Sequence, residues 1–232
     1  MIEFERVWKR YSKRRDEWAL EEISFHIGPS EMVFLLGPSG VGKSTLLKLI
    51  TLEEMPTTGT IRVADFVADE LTRQDLPHLR RRCGMVFQDF RLIKDLTIHE
   101  NLAFCLRMTG TLERSVIARA VARVLQSVGI YGKRDRFPRE LSGGEQQRAA
   151  IARALIHEPP IILADEPTGN LDAETGNEIM ALLQRLRVSG TTLVVASHQE
   201  PLAERFATRT MRLREGRIAE DRFLRPVGTE VY

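Results

Sequence analysis

The chain has 232 residues, with 34 Lys and Arg against 32 Asp and Glu, giving a formal net charge of +2. Its 43% hydrophobic content, 16 Gly and 10 Pro exclude disorder, collagen-like repetition and low complexity. The balanced charge argues against nucleic acid as the main partner. What remains is a globular chain able to bury a sizeable core, as one domain or a domain with an inserted lobe. Cys83 and Cys105 are too few for a disulfide framework and read as small buried hydrophobes in a reducing compartment.

No apolar run approaches the roughly 18–20 residues that cross a bilayer. The longest, such as Met32-Val33-Phe34-Leu35-Leu36, are strand-sized. Residues 1–6 carry carboxylates where a signal peptide needs a basic start and an apolar stretch. A cytoplasmic chain is expected, held at a membrane only through something else.

Three strands are predicted first. Residues 2–8 form a mixed run, 23–27 alternate with period two, and 32–36 are continuously apolar. Alternation implies one wet face, and continuity implies cover on both. Residues 37–42 break the pattern, 44–50 read as a helix, and a turn at 56–59 leads into a strand at 60–63. After Met85-Val86-Phe87, residues 89–158 carry little β signal and several helical segments, among them 114–127. Ser142-Gly143-Gly144-Glu145 satisfies the capping-box pattern ahead of a helix over 146–157. Strands return at 161–164 and 192–196. Between them Ile179, Leu182, Leu183 and Leu186 mark one helix face. Strands alternating with helices imply a largely parallel α/β sheet, interrupted by an all-helical insertion. There is no internal repeat.

Three motifs carry chemistry. Gly37-Pro38-Ser39-Gly40-Val41-Gly42-Lys43-Ser44 matches GxxxxGK[ST] between a predicted strand and a predicted helix. Its glycines let backbone N–H groups close on phosphate oxygens, and the helix start adds partial positive charge. Lys43 is expected to reach the β- and γ-phosphates and Ser44 to ligate Mg²⁺. Asp165 and Glu166 end an apolar strand, on the side of a parallel sheet where ligands bind. Asp165 is placed for the Mg²⁺ shell and Glu166 to polarise a water as general base; alone, such a pair also reads as solvated loop. Leu141-Ser142-Gly143-Gly144-Glu145 reads as a capped helix. Its two consecutive glycines weaken a helix, and bare backbone there also suits close approach by a second phosphate.

In this order and spacing, the phosphate loop, LSGGE and Ile161-Ile162-Leu163-Ala164-Asp165-Glu166-Pro167 resemble the nucleotide-binding domain of an ABC ATPase. The match covers nearly the whole chain. The resemblance implies a P-loop NTPase (RecA-like) α/β core with an antiparallel β subdomain and an inserted α-helical subdomain. It divides the chain into 1–88, 89–159 and 160–232. It implies ATP and Mg²⁺ as ligands and a homodimer, because in that family LSGGE of one protomer caps the γ-phosphate held by the phosphate loop of the other. Residues 37–45, including Thr45, and Ser142, Gly143, Gly144 and Glu145 are then nucleotide contacts.

The remaining family positions follow one at a time. Gln88, which alone reads as structural, resembles the glutamine that senses Mg²⁺ and the attacking water, so Ser44, Gln88 and Asp165 form the metal set. His198 matches the switch histidine contacting the γ-phosphate; His26, His78, His99 and His157 read as surface or structural. Glu166, His198, Lys43 and Gln88 are the catalytic set. Asn170-Leu171-Asp172 corresponds to the D-loop, with Asp172 toward the nucleotide. Tyr11 stands where the family stacks an aromatic on adenine, with Trp8 and Trp18 as competitors.

Finer segments narrow the resemblance. Residues 47–50, 76–81, 86–92 and 167–172 are similar to the cell-division branch of the family. That branch pairs with an integral membrane partner, FtsX, and signals to cell-wall hydrolases from the cytoplasmic face of the bacterial inner membrane. Residues 167–172 are shared with lipoprotein-release and macrolide-export ATPases, which stand as the alternative. Ile93-Lys94 and Ser197-His198-Gln199 depart from the pattern without touching the catalytic set. The basic clusters Lys9-Arg10, Lys13-Arg14-Arg15 and Arg80-Arg81-Arg82 read as solvated faces, or as contacts to anionic lipid or a partner. Residues 90–108 lie, by resemblance, beside the groove where a partner docks. A DNA or ribosome clamp lacks its long insertion or fused second motif set here, and a small-molecule kinase has no use for LSGGE.

Overall fold

The structure, a computed structural model, describes residues 1–11 and 18–224; the basic run Lys13-Arg14-Arg15 lies outside the described residues. β1 (Ile2–Lys9) pairs antiparallel with β2 (Leu20–Ile27), placing Phe4 opposite Phe25 with ring centroids 4.6 Å apart. β2 buries Leu20, Ile23, Phe25 and Ile27 and exposes Ser24 and His26 between them, the one-faced burial its alternation predicts. β3 (Met32–Leu36) is buried throughout and runs through residues 37–42 into α1 (Lys43–Ile50). β4 (Thr58–Val63) and β5 (Phe66–Val67) complete a sheet ordered β2-β1-β4-β5, antiparallel at each pairing.

α2 (Leu76–Arg81) precedes β6 (Cys83–Val86), after which α3 (Ile98–Met108), α4 (Arg114–Ser127) and α5 (Gly143–Leu155) follow with no intervening strand. The chain then alternates through β7 (Ile161–Asp165), α6 (Ala173–Val188), β8 (Thr192–Ser197), α7 (Glu200–Phe206), β9 (Arg209–Arg214) and β10 (Arg217–Phe223). The second sheet is ordered β10-β9-β3-β8-β7-β6; pairings from β9 to β6 are parallel and β10 closes the edge antiparallel.

Period-two geometry gives this sheet two cores. Met32, Phe34, Leu36, Ile162, Ala164, Leu193 and Val195 join the helical side formed by α3 to α7. Their neighbours Val33, Leu35, Ile161, Leu163, Val194 and Ala196 join α1 and the antiparallel sheet. Burial on both faces explains the continuous apolar runs.

The strand that precedes the helical insertion lies at Cys83–Val86, held by parallel pairing with Ile161–Ala164. Two features depart from the sequence reading. The helix expected at 146–157 starts at Gly143, so both signature glycines sit inside its first turn. β9 and β10 gave no clear pattern, since inward positions of β9 include a charge. Arg209 is buried, stabilised by Asp221 (Nε to Oδ1 2.7 Å, Nη2 to Oδ2 2.6 Å) and Glu31 (3.3 Å). Cys83 is buried, with its thiol pushed up to about 12 by desolvation; Cys105 is half-buried and also raised, chiefly by burial.

Candidate active site

The phosphate loop joins the C-terminal end of β3 to α1. Gly42, the α1 N-cap, has φ 111° and makes no side-chain capping bond, and no acidic residue stands in the first turn. A Cβ at Gly42 would lie 2.7 Å from Leu20 Cδ2 and 2.8 Å from the Ala19 carbonyl oxygen, so a side chain is doubly excluded. A helix start without a side-chain cap presents its first N–H groups and dipole to whatever anion arrives. Lys43 is buried, its ammonium donating to the carbonyl oxygens of Gly37 (2.7 Å) and Pro38 (3.2 Å). Ser44 is exposed and Thr45 half-buried on the same turn.

The ends of β7 and β8 bring the acid and the histidine to this loop. Asp165 is the last residue of β7. Glu166 follows with φ 47°, a left-handed conformation costly for a long side chain and held by its N–H donating to the Ala196 carbonyl at 2.9 Å. Its carboxylate lies 3.8 Å from the Lys43 ammonium and accepts from His198 Nδ1 at 3.0 and 3.1 Å on its two oxygens. Lys43 and Glu166 side chains are 7% and 15% exposed, whereas that of His198 is 60% exposed. Lys43, Glu166 and His198 thus form one contiguous polar row drawn from three sequence-distant motifs.

Gln88 and Asn170 are locked together. The Asn170 amide donates to the Gln88 carbonyl at 2.9 Å and Gln88 Nε2 reaches Asn170 Oδ1 at 3.4 Å. Next to Gln88, Phe90 and Arg91 both adopt left-handed conformations, φ 58° and 49°. Arg153 of α5 donates to the carbonyl oxygens of both, and Arg91 lies 3.9 Å over the Phe87 ring. Asn170 is named in the sequence only as part of the D-loop; Arg153 was not singled out there, nor was Gln147, which is wholly buried and donates to the Pro167 carbonyl at 2.7 Å. A glutamine on the inward stripe of α5 with Ile151 and Ala154 was the available signal.

The signature helix α5 has its own cap. Ser142 Oγ accepts from the Glu145 N–H at 3.3 Å, Glu145 Oε2 accepts from the Ser142 N–H at 2.9 Å, and Lys133 pairs with Glu145 at 3.1 Å. The Ser142 N–H, helped by Lys133, holds the Glu145 carboxyl below its ordinary range. A Cβ at Gly144 would lie 2.5 Å from Thr175 Cγ2 of α6. Close packing of α5 on α6 is therefore a second reason for glycine at position 144, beside the phosphate approach expected of this helix start. Asp172 likewise caps α6, accepting from the Thr175 N–H (2.9 Å) and hydroxyl (2.7 Å), bonds that lower its pKa.

Among the aromatics, Tyr11 is 55% exposed and its hydroxyl lies 3.1 Å from Thr45 Oγ1, directly beside α1. Trp8 and Trp18 pack edge to face with centroids 5.1 Å apart. Of the three aromatics, Tyr11 is the one bonded to a side chain of α1.

A family profile described as ABC transporter matches residues 20–169. The chain belongs to the ABC transporter family. It is an ATPase of the ABC type. Among its relatives, the cell division ATP-binding protein FtsE of Mycobacterium tuberculosis is 46% identical, covering 95% of both chains. FtsE of Bacillus subtilis is 42% identical over 95% of this chain and 96% of its own. FtsE of Escherichia coli is 43% identical over 94% and 97%. Among solved structures, the ATP-binding cassette MJ0796, dimeric and bound to ADP and Pi in a post-hydrolysis state, superposes with TM-score 0.87 at 36% identity, covering 97% of this chain and all of that one. The P-loop core with antiparallel and helical additions is the family's architecture. Among the described residues, no helix is long and apolar enough to cross a membrane.

Mg²⁺ fits the site by donor chemistry. Among the described residues, no three His, Cys, Asp or Glu side chains gather to cage a metal. A hydroxyl, an amide and one carboxylate, from Ser44, Gln88 and Asp165, are hard oxygen donors suited to an ion that keeps waters and shares substrate phosphates.

Proposed function

We propose that the chain hydrolyses ATP in a nucleotide-sandwich homodimer and drives conformational change in an integral membrane partner of the FtsX kind. The role would be in bacterial cell division, at the cytoplasmic face of the inner membrane, regulating cell-wall hydrolysis. The observation that carries the reading is the Lys43–Glu166–His198 row against an uncapped helix start. The FtsE relatives support the division role, and the dimeric cassette supports the homodimer.

In this reading residues 37–45 cradle the triphosphate, Tyr11 stacks on adenine, and Ser142 to Glu145 of the second chain, with its Asp172, close over the γ-phosphate. Lys43 exchanges its two carbonyl partners for phosphate oxygens. Glu166 accepts a proton from water as the water oxygen attacks the γ-phosphorus and the bond to the β–γ bridging oxygen breaks, giving ADP and phosphate. His198 orients the Glu166 carboxylate and meets the terminal phosphoryl group. Ser44, Gln88 and Asp165 would hold Mg²⁺, which supplies neutralisation of phosphate charge. Loss of the shared phosphate loosens the dimer, and a docked partner receives that motion.

Glu166→Gln tests the reading. Loss of a general base is expected to lower turnover about 10²–10⁴-fold while ATP with Mg²⁺ drives the variant into a dimer, read by phosphate release and sedimentation. A monomer at saturating nucleotide overturns the sandwich. A solute-transport ATPase is the second reading, favoured by a 30% identical neighbour described as part of the cbiONQ transporter complex; the identity of the membrane partner separates the two.

A further inference from the structure

In the proposed sandwich, Ser142 to Glu145 meet the γ-phosphate held by the second chain, yet this segment carries a carboxylate of its own. Glu145 turns back over the start of α5. Its Oε2 accepts from the Ser142 N–H at 2.9 Å, while Ser142 Oγ accepts from the Glu145 N–H at 3.3 Å. The reciprocal cap occupies those two N–H groups. Among the described residues, the Gly143 and Gly144 N–H groups and the Ser142 hydroxyl proton meet no acceptor. Three donors therefore remain for an arriving phosphate. The Glu145 carboxyl titrates below its ordinary range, chiefly through the Ser142 N–H, so its charge is present at neutral pH. An anion this close to the three donors repels the phosphate that they are to receive.

Lys133, at the end of the short 3-10 turn Tyr131–Lys133, places its ammonium 3.1 Å from Glu145 Oε1, the oxygen not used by the cap. Neighbouring cations have other partners: Arg134 pairs with Asp135 at 3.4 Å, Arg136 with Glu140 at 3.0 Å and Arg148 with Glu178 at 2.9 Å. Among the described residues, Lys133 is the one cation paired with Glu145. The two side chains are 46% and 28% exposed, so the pair adds little to the stability of a single chain. A second chain closing over it removes water and lowers the local dielectric, and the charge balance then counts most. We propose that Lys133 is a positioning residue for the ATP of the second chain. It neutralises Glu145 and keeps that carboxylate on the cap, leaving the Ser142 hydroxyl and the Gly143 and Gly144 N–H groups to the γ-phosphate. The inference rests on the sandwich reading and adds the residue that makes an acidic signature segment compatible with it.

The test uses full chains carrying Glu166→Gln, in which ATP with Mg²⁺ is expected to accumulate the dimer. The ATP concentration at half-dimerisation is read by sedimentation. Lys133→Gln is expected to raise it about tenfold, a tenfold penalty at each of two sites acting on two bound nucleotides. Lys133→Arg keeps the charge and is expected to stay within about threefold of the chain with Lys133. The deciding comparison adds Glu145→Gln, which keeps an acceptor for the cap and removes the charge. In that background Lys133→Gln is expected to shift the midpoint by less than about twofold. Affinity of the single chain for ADP, set by its own phosphate loop, is expected to stay level in Lys133→Gln. No shift in either background, or an equal shift in both, overturns the assignment. So does equal weakening by Lys133→Gln and Lys133→Arg, or a parallel loss of ADP affinity, since a general structural lesion then explains the effect. Glu166→Gln chains that stay monomeric at saturating ATP sink the sandwich and this inference with it, whereas dimerisation indifferent to Lys133 sinks the inference alone.

Discussion

Gly144 and Thr175 meet where α5 crosses α6, and their contact separates packing from chemistry. In Gly144→Ala the helix gains from propensity, but the new Cβ lies 2.5 Å from Thr175 Cγ2; the net loss is expected to be about 1 kcal/mol. Adding Thr175→Ser removes that methyl, keeps the hydroxyl bonded to Asp172, and should restore the denaturation midpoint. A single variant as stable as the parent would refute the packing account. Gln147 offers a second test, since its Nε2 is the side-chain donor to the carbonyl of Pro167, next to Glu166. Gln147→Leu leaves that carbonyl unpaired and is expected to cost about 1–3 kcal/mol, with reduced turnover because the residue after the proposed general base is freed. The phosphate loop and Asp165-Glu166 stood out as residue types at spacings, and His198 through the family resemblance. Gln147 was not, because a single polar residue on a buried helix stripe carries no motif.

Helix starts set the next level. α3 and α5 carry the same reciprocal cap, Thr97 with Glu100 and Ser142 with Glu145, and both carboxyls are held low chiefly by the capping backbone N–H. A depressed carboxyl stabilises the helix start at pH above its ordinary value of 4.5 and loses that contribution as pH falls through the lower folded value. Amide exchange protection in the first turns of α3 and α5 is therefore expected to fall between pH 6 and pH 3, while that of α1, without such a cap, stays level. Equal change in all three would contradict this. α5 also holds the segment after Gln88: Arg153→Met frees the carbonyls of two left-handed residues. It is expected to speed proteolysis at residues 90–92 and cost about 1.5–3 kcal/mol as charged hydrogen bonds are lost. The sequence marked α6 by periodicity and α5 by its cap, yet put the α5 start three residues late, because glycine was read as weakening a helix where, at Gly144, packing against α6 also selects it.

Two copies of the chain are the unit in which the proposed chemistry closes, so complementation tests it directly. Lys43→Ala chains and Ser142→Arg chains are each expected to be inactive alone. Mixed, they form a dimer with both lesions in one composite pocket and neither in the other, and turnover should reappear. If it stays absent while mixed dimers are seen by sedimentation, the shared pocket is wrong.

Local sequence was sufficient for much of this protein. Apolar runs of five fixed which strands are covered on both faces, and glycine spacing fixed the phosphate loop. The carboxylates fell at a strand end because β7 changes from apolar to acidic within two residues. Tertiary structure alone decided what lies beside what. The Lys43–Glu166–His198 row and the Gln88–Asn170 lock each join residues far apart in the chain. So does the burial of Arg209 with Asp221 and Glu31. Backbone propensity and periodicity act over one or two turns, whereas these contacts depend on strand order, and order is set by how two cores fill the two faces of one sheet.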